Sequence, residues 1–153
     1  MCYKKNAIVN AYNSGVRRCP CCDVQLVWKA NPDEPQKNLA TVDHMVPRSL
    51  GGPDTTDNMF VMCRQCNNDR GNACFVMFVV DRGVSKIEAE TLYKQAHLSS
   101  VRHLLGTLMN QIQTGVDRKK YKNKIKMVVC NYRKYFNDYL PEFDLLPREV
   151  VNK

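Results

Sequence analysis

Apolar and polar positions alternate first at Val24, Leu26 and Trp28, which predicts a short strand. Residues 31–38, with Pro32 and Pro35, read as a loop, and Thr41–Val46 as a second strand closed by Pro47. Gly51-Gly52-Pro53-Asp54 marks a turn ahead of the apolar run Met59-Phe60-Val61-Met62. Beyond it the period lengthens. A polar start at Asn67 runs into Cys74-Phe75-Val76-Met77-Phe78, read as a helix ending near Gly83, although Gly71 would cost it about 1 kcal/mol and the β-branched, aromatic run suits a strand equally. Ser85-x-x-Glu88 is a capping box opening a helix that carries Ile87, Leu92 and Ala96. Val101, Leu104, Leu105, Leu108 and Ile112 define a further helix stopped at Thr114-Gly115. Tyr121, Ile125, Val128, Val129, Tyr132 and Phe136 define a third. The pattern gives an α+β chain whose second half is helical.

The longest apolar run, Ala73 to Val80, is 8 residues, against about 20 for a membrane-spanning helix. No membrane span is expected. Lys4 and Lys5 are not followed by the apolar stretch of a secretory signal, so the expected location is the cytoplasm. The 153 residues suit compact globular structure, and 44% hydrophobic content excludes a wholly disordered tail.

Charge adds a partner class. The net charge is +8, which favours polyanions. Residues 1–80 carry nine basic and seven acidic side chains, residues 81–153 fourteen and eight, and Arg118–Lys134 alone holds eight basic residues and no acid. On a helix through that stretch Lys119, Lys122, Lys126 and Arg133 project away from the apolar face, where they would contact phosphates without reading sequence. Tyr121, Tyr132, Tyr135 and Tyr139 are more simply core or rim aromatics than base-stacking groups.

Eight cysteines in a reducing compartment point to metal before disulfides. Cys19-x-x-Cys22 and Cys63-x-x-Cys66 each chelate from one tight turn, the pattern of a structural tetrahedral zinc site, with Cys21 able to replace Cys19 or Cys22. Asp43-His44 and Asn58 lie between these pairs, and Asn67 directly follows the second. A strand end and a helix start can thereby converge. Taken singly, Asn58 is a turn residue, Asn67 a helix cap, and His97 and His103 structural histidines.

Asp43-His44-Met45-Val46-Pro47, Gly51-Gly52, Asp57-Asn58 and Cys63-Arg64-Gln65-Cys66-Asn67 occur in the order and spacing of one motif, and on these residues the chain resembles the HNH endonuclease family from Cys19 to about Asn72. Asn67 stands where the third letter is His, an HNN variant. The resemblance implies a ββα-metal core with a four-cysteine zinc knuckle over residues 1–83 and a helical, basic, DNA-contacting extension over residues 84–153. It implies that His44 is the general base, that Asp43 and Asn67 hold a catalytic Mg2+ or Mn2+, and that Asn58 orients the His-bearing loop, with 5′-phosphate and 3′-hydroxyl products. Arg48, Arg64 and Arg70 flank the motif and are expected to bind phosphates, Arg70 first among them.

The expected partner is double-stranded DNA, with a homodimer or a phage protein as a further partner. Such small nucleases are similar to those of bacteriophages and mobile elements. The rival readings are a zinc-dependent DNA-binding module that does not cut and a genome-packaging subunit active only beside its partner.

Overall fold

The computed structural model describes residues 2–111 and 118–138. Ile112, Thr114, Gly115 and Tyr139 lie outside the described residues. The chain divides into two compact units, one of residues 1–45 with 59–93, the other of residues 46–58 with 94–153.

In the first unit, α1 (Tyr3–Asn13) precedes β1 (Ala40–His44), β2 (Met59–Cys63), α2 (Arg64–Arg70) and α3 (Phe75–Asp81). The two strands pair antiparallel, Ala40 opposite Cys63 and His44 opposite Met59. With α2 following at once, the order is β-β-α, and helix and sheet together make the fold α+β as expected. Helix α1 was not foreseen. Its only buried residue is Ala7, so it carries almost none of the apolar stripe by which helices are read from sequence.

Three expectations in this unit are corrected. Val24–Trp28 forms no strand, because Leu26 N–H bonds to Arg17 and Val27 N–H to Asn38, so the segment switches partner after single bridges and no ladder grows. The single helix from Asn67 to Gly83 is two, since Gly71 takes φ +50° and ψ −117° and ends α2, a backbone open to glycine. Ile87 is not a core position, being 81% exposed.

Ser85 does cap the next helix, its Oγ accepting from Glu88 N–H at 3.4 Å. The two helices expected after it are one, α4 (Lys86–Gln111), 26 residues without interruption. Its first turns belong to the first unit and the rest to the second.

In the second unit α4 supplies Val101, Leu104 and Leu108, and α5 (Arg118–Phe136) supplies Ile125, Val128, Val129 and Tyr132, all buried. This is the expected apolar stripe. His97 is fully buried, its Nε2 2.8 Å from the Asn131 amide nitrogen and its ring edge-on to Tyr132, a core histidine as expected. The loop at residues 46–58 meets α5 at Gly51 and folds on itself at Gly52. A Cβ on Gly51 would lie 2.5 Å from the Lys124 carbonyl oxygen, and one on Gly52 1.8 Å from that of Val46. No side chain fits at Gly52.

Candidate functional site

The second cysteine pair is set by the join of β2 and α2. Cys63 ends the strand in extended backbone and caps the helix, its Sγ accepting from Cys66 N–H at 3.3 Å. The first pair sits in a tight turn closed by Cys19 N–H to Val24 and Asp23 N–H to Cys19, with Asp23 at φ +62°. Cys63 N–H donates to Cys19 Sγ at 3.3 Å, joining the two turns.

The thiols of Cys19, Cys22, Cys63 and Cys66 all lie within 4.8 Å of one another, and Cys22 Sγ is 3.7 Å from Cys63 Sγ. Tetrahedral Zn–S bonds of about 2.3 Å imply S···S edges of about 3.8 Å. The cluster therefore fits a zinc ion and is consistent with a zinc-binding knuckle. Cys21 is buried beside it but is not one of the four. The Cys21 thiol, donating to Cys19, holds the Cys19 thiol down to about 4, and the same bond followed by burial pushes Cys21 up. Burial pushes Cys63 and Cys66 up as well. Crowded thiols resist charging one another, and a divalent cation removes that penalty.

Next after Cys66, in the first turn of α2, is Asn67. Its amide nitrogen donates to Thr41 Oγ1 and to the Val42 carbonyl, both at 3.1 Å, which ties the helix to β1. Asp43 and His44 close that strand. Successive strand residues point to opposite sides, and here Asp43 meets Arg70 of α2 while the His44 ring lies edge-on to Tyr3 of α1 at 6.1 Å. Nothing in the sequence pattern pointed to Tyr3 or Thr41, which lack the spacing of a motif. A carboxylate oxygen and an amide oxygen, the kinds of donor that Asp43 and Asn67 carry, belong to the hard class.

Arg70, expected on the DNA-facing surface, is the clear correction. Only 2% of its side chain is exposed, and it is ion-paired with Asp43. Buried charge demands such a partner, so this arginine is not available to a phosphate. Arg64 is half-buried at the start of α2. In the other unit, Arg48 is exposed and forms a two-point ion pair with Asp54 at 2.8 and 2.9 Å.

Asn58, also in that unit, is fully buried. Its Oδ1 accepts from Val46 N–H at 2.9 Å, and its amide nitrogen donates to the Val46 and Pro53 carbonyls at 2.9 and 3.1 Å. It thus fastens both ends of the 46–58 loop. On α5, Lys119, Lys126 and Arg133 are exposed and Lys122 half-buried. Among the described residues no helix is long and apolar enough to cross a membrane.

Residues 19–73, a little over a third of the chain, match the family model described as HNH endonuclease. No curated protein and no solved structure matches. The four-cysteine cluster lies within the stretch that matches the HNH endonuclease model.

Proposed function

We propose that this stretch is the catalytic core of a metal-dependent DNA endonuclease, with His44 as general base and with Asp43 and Asn67 holding one Mg2+ or Mn2+. The observation that carries this reading is the Asn67 amide bonded to Thr41 and Val42, which brings the first turn of α2 against the strand that ends in Asp43 and His44. All of these residues fall within the matched stretch.

His44 takes a proton from the attacking water, work suited to an imidazole near neutral pH. Because Asp43 and His44 leave the strand on different sides, a phosphate lying across the end of β1, rather than on one face of the sheet, is the substrate position both can reach. A cation held by Asp43 and Asn67 would supply Lewis-acid stabilisation of charge on the phosphate and the departing 3′-oxygen, and the products would be 5′-phosphate and 3′-hydroxyl ends. Asn58 acts as a positioning residue by fixing the chain at Val46, two residues beyond His44. The zinc knuckle is structural. It sets the start of α2 and so the place of Asn67.

The helical region, residues 84–153 in this reading, holds the duplex. Lys119, Lys122, Lys126 and Arg133 recur at helical spacing along one stripe of α5, and such a stripe binds phosphates irrespective of sequence. Arg48 and Arg64 add phosphate contacts nearer the motif.

The test is cleavage of supercoiled plasmid with Mg2+ or Mn2+ by zinc-replete wild type, His44→Ala and Asn67→Ala proteins of matched circular dichroism. Wild type is expected to cut, and both variants to cut at least about a hundredfold more slowly. Equal cutting by His44→Ala removes the base. Binding without cutting by all three returns the protein to the class of non-cleaving DNA-binding modules.

A further inference from the structure

Arg70 is a buried cation on the very carboxylate that the nuclease reading gives to a metal. Its Nη1 donates to Asp43 Oδ2 and, at 2.9 Å, to the His44 carbonyl. Nη2 lies 3.5 Å from the Met45 carbonyl, and Nε donates to the Ala73 carbonyl at 3.1 Å. The Phe75 ring lies 5.7 Å from the guanidinium carbon. Asp43 itself keeps 17% of its side chain exposed, so solvent and ligands still reach it.

An apolar side chain would fill this place between α2 and β1 at lower desolvation cost, so stability alone is a weak reason for a charge here. What the guanidinium adds is direction. One fork spans three consecutive residues and fixes the Asp43 carboxylate together with the backbone carbonyls of His44 and Met45. It also places a positive charge against the carboxylate, where it opposes any second cation.

We propose that Arg70 is a positioning residue for the cation site, one that occupies Oδ2 of Asp43 so that the carboxylate offers a metal a single oxygen at reduced charge, while holding the His44 backbone in place. The inference rests on the nuclease reading of Asp43. It has a signature that plain structural support lacks. Removing the arginine charge tightens cation binding while slowing the reaction, whereas a loosened site would do both badly.

The experiment uses the full zinc-replete chain without DNA, with Mn2+ as probe and free Mn2+ read by electron paramagnetic resonance. Plasmid cutting and thermal melts run alongside. Arg70→Gln is expected to bind Mn2+ about tenfold tighter than wild type, from loss of the opposing charge, and to cut about a hundredfold more slowly, from misplacement of the reacting groups. Arg70→Lys keeps the charge and loses the fork. It is expected to bind Mn2+ within about twofold of wild type and to cut at least about tenfold more slowly.

Mn2+ binding by Arg70→Gln no tighter than wild type overturns the proposal, as does wild-type cutting by Arg70→Lys. Should Arg70→Gln fail to fold, Arg70→Lys decides alone, slow cutting at unchanged Mn2+ affinity being the supporting result. Wild type that binds no Mn2+, or Asp43→Asn that binds it as well as wild type, removes Asp43 as a ligand, and this inference falls with it. Failure of the nuclease reading is thereby told apart from failure of the arginine's role.

Discussion

The two units are held together by different physics. In the first, α2 and α3 are seven residues each, too short to persist as isolated helices, and the sheet has two strands, which is marginal by itself. Four thiols within 4.8 Å stand where a larger core would otherwise be needed. In the second, α5 runs for 19 residues and buries Ile125, Val128, Val129 and Tyr132 along one face. The contrast teaches where chemistry can be placed. Short elements gathered round a four-thiol cluster leave His44 half-buried at a strand end and tie the Asp43 side chain to Arg70, whereas α5 spends its apolar face on the core and leaves a basic one outside.

The largest expected effect breaks the first unit and spares much of the second. Structural zinc contributes on the order of 10 kcal/mol to folding in small zinc domains, more than so small a core supplies. Chelation, or Cys63→Ser, should release zinc, measured by metal analysis, and abolish the first unit's tertiary signal in near-ultraviolet circular dichroism. A substantial far-ultraviolet helical signal from α4 and α5 should survive. Unchanged zinc content in Cys63→Ser would remove the four-cysteine assignment, and complete loss of helix would show that the units unfold as one.

The converse variant is Ile125→Ala, which leaves a cavity against α5 where the side chain is now fully buried. It should cost about 3 kcal/mol in a urea melt and leave zinc content unchanged. If zinc is lost as well, the separation of metal-held from core-held stability fails.

Asn58→Ala comes next. It leaves Val46 N–H and the carbonyls of Val46 and Pro53 without their buried partner, at a cost of about 2 kcal/mol. Cutting should fall further than the folded fraction does, because the loop end at Val46 is released. Cutting proportional to folded protein would reduce Asn58 to a structural residue.

What was legible in the sequence follows the range of the interactions. Both cysteine pairs, the strand ahead of Pro47 and the apolar face of α5 rest on neighbours a few residues apart, and each is found in the structure, with β1 at Ala40–His44. Helix α1 was hidden because a helix that buries only Ala7 has no stripe to read. The break at Gly71 was legible in kind but not in outcome. A glycine costs a helix little enough that the residue type alone does not decide, and here a local contact, Arg70 Nε on the Ala73 carbonyl, closes the turn that ends α2. Arg70 was misread for a reason of range. Its partner Asp43 is 27 residues away, and a lone arginine beside a motif looks like any exposed one. At the candidate site the identity of Asp43, His44, Asn58 and Asn67 came from spacing, while Tyr3 and Thr41 came only from the fold.

The smallest effect sharpens the account of the basic face. Lys119 and Lys126 are exposed on α5, so replacing either with alanine should change stability by less than about 0.5 kcal/mol. Each should nevertheless weaken DNA binding to a similar degree on unrelated duplex sequences, and each should lower the slope of log affinity against log salt by about 1 if it neutralises one phosphate. The measurement is fluorescence anisotropy of a labelled duplex across a salt series, with Ile125→Ala as the control that alters the buried face of the same helix. A salt slope unchanged in both lysine variants would mean that this face of α5 is solvated rather than bound to the duplex. The phosphate contacts would then have to come from elsewhere, and the unit that carries the zinc knuckle, residues 1–45 with 59–93, holds ten basic and eight acidic side chains, a net charge of only +2. Affinity carried from there alone would be weak and shallow in its salt dependence, so the two outcomes differ in absolute slope as well as in the response to mutation.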